Sequence, residues 1–141
     1  MSPGTVGADS ERALKEFMEL TADELWRFLP GGYLATIAIE IPILLLGLSR
    51  GHSLRRRLIA GLWLTACTYP MVVLVLPLTV GRWGYIPYLI VAETFAPVAE
   101  CLIFRTAYPV PKVTREALQD LVTITVANLV SFGVGYWLYS R

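Results

Sequence analysis

Four stretches of this chain, at about 32–48, 58–80, 85–104 and 117–139, are apolar enough to cross a bilayer. A helix that crosses the hydrocarbon core needs about 20 such residues. Inside lipid every backbone donor and acceptor must be paired within the segment, so runs of this kind fold as helices. The composition agrees: 55% of residues are hydrophobic and 16% are charged, against about 25% charged in a soluble domain. The reading is an all-α membrane protein, four transmembrane helices in an antiparallel bundle preceded by a short amphipathic helix. It divides into a polar N-terminal segment, 1–30, and a transmembrane domain, 31–141. A net charge of +1 gives no reason to expect nucleic acid as a partner.

Between Ser10 and Leu29 the apolar residues Leu14, Phe17, Met18, Leu25, Phe28 and Leu29 fall near one helical face. Thr21-Ala22-Asp23-Glu24 has capping-box form, so the segment reads either as one amphipathic helix or as two short ones. Pro30-Gly31-Gly32 is expected to break the helix. Orientation follows from the basic residues. The connections after the first and third runs hold Arg50, Arg55, Arg56 and Arg57, and Arg105, Lys112 and Arg115. The positive-inside rule puts these loops in the cytoplasm and both termini outside. Trp83, Tyr85, Tyr88, Tyr136, Trp137 and Tyr139 would form an aromatic belt at the outer interface.

Each apolar run also carries a polar group that lipid would reject. With depth measured from Gly31 and Gly84, Glu40 and Glu93 lie equally deep, and Thr68-Tyr69 and Asn128 reach a similar level from the other side. Glu40, Thr68, Tyr69, Glu93 and Asn128 therefore form one expected midplane cluster, with Thr125 and Ser131 nearby. Glu100 shares a helical face with Glu93 but is placed nearer the cytoplasmic rim, within reach of Arg105. Pro42, Pro70 and Pro97 stand beside this layer and free carbonyls from the helix ladder. Carboxylates with carbonyls make a hard-oxygen environment for a proton, Na⁺ or a divalent cation. The competing reading is that the acids are neutral and join helices by hydrogen bonds. Ala127, Ser131 and Gly135 recur every four residues and read as a helix-packing ridge, facing either another span or a second subunit.

Glu40-x-Pro42, Thr68-Tyr69-Pro70, Glu93…Glu100 and Asn128-x-x-Ser131-Phe132 together resemble a family of small four-span proteins of bacterial inner membranes. Some of its members carry Thr-His-Pro where this chain has Tyr69 in the middle position. The resemblance covers about 33–139 and implies the architecture and the membrane, without an activity. No CxxC, HExxH, G-x-S-x-G or Gly-rich phosphate loop is present, and no nucleophile–base pair is visible, so enzymatic activity is not the expectation. The expected function is binding of a proton or cation in transport or permeation. It would be carried out in the lipid bilayer by a homo-oligomer or with other membrane subunits. The alternative is a non-catalytic assembly or anchoring subunit.

Overall fold

The computed structural model describes residues 21–109 and 114–139, apart from the side chains of Tyr85 and Tyr139. Helix α1 spans Ala22–Gly47. It starts at the expected capping box, where the Thr21 N–H and hydroxyl both donate to the Glu24 carboxylate at 2.8 Å. It does not stop at Pro30-Gly31-Gly32, which corrects the helix break expected there. Pro30 costs the helix its bond to the Trp26 carbonyl. Both residues are exposed, and the apolar run beyond carries the helix on. Gly32 has a separate reason: a Cβ there would overlap the Tyr69 hydroxyl, which packs directly on the α1 backbone. The 10–20 part of the expected amphipathic helix lies outside the described residues.

Helix α2 covers Leu54–Thr79. It is α-helical to Pro70, π-helical over Met71–Val75, and α-helical again over Leu76–Thr79. In the π register the Leu76 N–H reaches the Met71 carbonyl, five residues back. The next donor in that register would be residue 77, a proline without an N–H, leaving the Val72 carbonyl unserved. Tyr88 supplies the bond, its hydroxyl donating to the Val72 carbonyl at 3.3 Å. Tyr88 is consequently buried and not part of an outer aromatic belt, whereas Trp83 and Trp137 are exposed. A short turn through Gly84, at φ 109°, leads into α3, Tyr85–Ala107. Helix α4 is Arg115–Tyr139.

The helices pack as a ring, α1 and α3 each touching both α2 and α4. All four are long and apolar enough to cross a membrane, and their burial pattern is that of a multi-pass membrane protein. Large apolar side chains such as Leu46, Leu102, Ile90 and Leu129 point outwards, while Glu40, Thr65, Thr68, Glu100, Asp120 and Asn128 are buried. In water such an arrangement would be costly on both counts; in lipid it is favourable. Leu44, Leu48, Ala60, Leu64, Phe104, Ile124 and Ala127 form the apolar core.

Candidate functional site

Two carboxylic side chains meet inside the ring, and they are Glu40 and Glu100. Each is 2% exposed. They come from the diagonal helices α1 and α3, and each lies within electrostatic reach of the other. Their partners come from α2 and α4. Thr65 Oγ1 donates to Glu40 Oε2, and Ser131 Oγ donates to Oε1, both at 2.7 Å. Thr68 Oγ1 and Asn128 Nδ2 serve Glu100 Oε1 and Oε2, also at 2.7 Å. All four carboxyl oxygens therefore have a side-chain partner, and all four helices contribute to one polar layer.

A count of hydrogens shows what this layer can do. The Thr65 hydroxyl is also 2.9 Å from the Gly61 carbonyl, the Thr68 hydroxyl 3.1 Å from that of Leu64, and the Ser131 hydroxyl 3.0 Å from that of Asn128. Each hydroxyl has one hydrogen and two acceptors to choose between. With the acids ionised, the hydroxyls turn to the carboxylates. With an acid neutral, its O–H donates to a hydroxyl oxygen, and that hydroxyl turns back to its own helix. Both states leave the acids hydrogen-bonded, and the change between them is a hydroxyl rotation. Asn128 has two amide hydrogens and serves Glu100 and the Ile124 carbonyl together, the latter at 3.0 Å.

Glu93 is not in this layer. It is half-buried on the wall of a cavity of 610 Å³ that all four helices line, with Phe28, Tyr69, Tyr88, Phe132 and Tyr136 among its walls. Among the described residues Glu93 has neither hydrogen-bond nor ion-pair partner. Tyr69 also belongs to this cavity, its ring edge-on to Tyr33. Ser131 is common to both sites: it lines the cavity and holds Glu40. Thr125 lies apart, bonded to the Leu121 carbonyl and beside Cys101.

The exchange of Glu93 for Glu100 has a simple cause. The sequence ruler for depth was anchored at Gly31, which is not a helix end. Measured from the helix ends at Gly47 and Ala107, Glu40 and Glu100 each lie seven residues in. Glu100 accordingly meets Thr68 and Asn128 rather than a rim arginine. The ridge on α4 is also divided. Ala127 is in the core and Ser131 in the polar layer, but a Cβ on Gly135 would meet nothing within 4 Å, because Gly135 faces the cavity.

Thr65 was missed by sequence reasoning, although Thr65 and Thr68 are three apart and share a face of α2. A second polar group was missed at the other end of the bundle. Asp120 accepts the Ser49 N–H at 2.7 Å and its hydroxyl at 3.2 Å, and meets His52 Nε2 at 3.0 Å. The Arg57 guanidinium bonds the carbonyls of Leu45, Ser49 and His52, closing the end of α1. One arginine of the 50–57 cluster is thus a helix cap. The signal available was Asp120 itself, the one aspartate in the second half of the chain.

No protein-family model, curated protein or solved structure matches the chain. Among the described residues no three His, Cys, Asp or Glu side chains are grouped as metal ligands would be. The layer offers two carboxyls, three hydroxyls and an amide, joined by hydrogen bonds across all four helices.

Proposed function

We propose that this chain is an antiparallel four-helix protein of a bacterial inner membrane that binds a proton at Glu40 and Glu100 in transport or permeation. The observation that carries this reading is the double acceptor choice of the three hydroxyls, which keeps the buried acids bonded whether or not they carry a proton. Na⁺ or a divalent cation is the weaker candidate, because it would have to displace the donors already seated on the four carboxyl oxygens. The cytoplasmic assignment of the 50–57 and 105–115 connections, with both termini outside, rests on the positive-inside rule. Assembly as a homo-oligomer or with other membrane subunits is part of the same proposal.

Flux in liposomes loaded with a pH-sensitive dye tests it. Glu40→Gln and Glu100→Gln should each abolish proton movement while retaining helical circular dichroism, since glutamine can both donate and accept in place of a neutral acid. Wild-type flux from both variants would sink the proposal. The same hydrogen bonds favour a second reading, in which the layer only fastens helices within an assembly or anchoring subunit. There the wild type moves no protons, and the glutamine variants lose partner chains or thermal stability instead.

A further inference from the structure

The polar layer leaves the large cavity without a use, and the cavity has a chemistry of its own. Its volume, 610 Å³, falls within the roughly 300–1,000 Å³ typical of small-molecule sites. The walls combine aliphatic side chains with Phe28, Tyr69, Tyr88, Phe132 and Tyr136. Two charged residues line it. Arg27 is exposed and stands near the start of α1. Glu93 is half-buried, lies deeper, and has no partner among the described residues. A half-buried carboxylate on the wall of a cavity that aromatic rings also line calls for a cation that can also bury apolar surface. The rings contribute in the same sense, since the face of an aromatic ring attracts a cation. Gly135 is one of the wall residues, and a Cβ added there would meet nothing within 4 Å.

We infer that this cavity binds a hydrophobic organic monocation, an amine or onium with aromatic or aliphatic substituents, with Glu93 as its counter-charge. The inference rests on the cavity and Glu93, and does not depend on proton binding at Glu40 and Glu100. The aromatic walls bury the substituents, the Glu93 carboxylate pairs with the charge, and an inorganic ion would leave the walls unused.

Equilibrium binding of tetraphenylphosphonium to the full chain in lipid nanodiscs tests this, with neutral triphenylphosphine oxide as the uncharged probe. The wild type should bind the cation saturably and at least tenfold more tightly than the neutral probe. Glu93→Gln should lose that preference while still binding the neutral probe, which also shows that the cavity is folded. Gly135→Leu, which fills the space, should weaken both probes. Equal affinity for the cation in wild type and Glu93→Gln overturns the proposal. So does equal binding of cation and neutral probe by the wild type, the behaviour of a groove for lipid chains.

Discussion

Thr65 shows how much a single hydroxyl contributes to the layer. Thr65→Val keeps the shape but leaves Glu40 Oε2 without its donor in a buried position. Leaving such a group unsatisfied costs about 1–3 kcal/mol, so a fall in the thermal midpoint is expected in detergent. Thr65→Ser keeps the hydroxyl and should recover most of the loss. Which acids the ring would enclose was legible only in part. Glu40 and Asn128 could be found from their apolar surroundings, because a charged or amide side chain in such a run must turn inwards. The choice between Glu93 and Glu100 could not, because it depends on where the helix ends lie. Pro30-Gly31-Gly32 carries the residues of a helix stop, yet the helix continues and Gly32 lets Tyr69 approach.

Among the elements, α2 departs furthest from expectation. It contains Pro70 and Pro77, but composition could not distinguish a kink from a widened turn. The π turn and the Tyr88 bond to Val72 form one device. Tyr88→Phe should therefore cost about 1 kcal/mol, the usual net worth of one hydrogen bond. In a Pro77→Ala background the restored N–H can serve the Val72 carbonyl, and Tyr88→Phe should become nearly neutral. A double-mutant cycle on thermal unfolding reads the coupling. If the two changes are additive, the π turn and Tyr88 are independent. The four spans themselves were plain in the sequence, since lipid leaves the backbone little other choice.

Across the whole molecule the two ends differ. At one end Asp120, Ser49, His52 and Arg57 join α1, α2 and α4 through buried and half-buried hydrogen bonds, with His52 packed on Phe104 and Tyr108 of the third helix and its exit. At the other end all four helices line the cavity. Asp120→Ala strips the Ser49 N–H of its acceptor and should cost about 1–3 kcal/mol, seen as a lower unfolding midpoint. Amide exchange should speed up first around residues 45–57, while the cavity walls change little. None of this asymmetry could be read from hydropathy, which treats both ends of a span alike. Ser131 gives the asymmetry a thermodynamic consequence, since the residue lines the cavity and its hydroxyl holds Glu40. A ligand in the cavity that displaces Ser131 changes the proton affinity of Glu40. By linkage, a proton on Glu40 must change the ligand's affinity by the same factor. Two occupants that never touch would thus be bound to one exchange rate, set by a single serine.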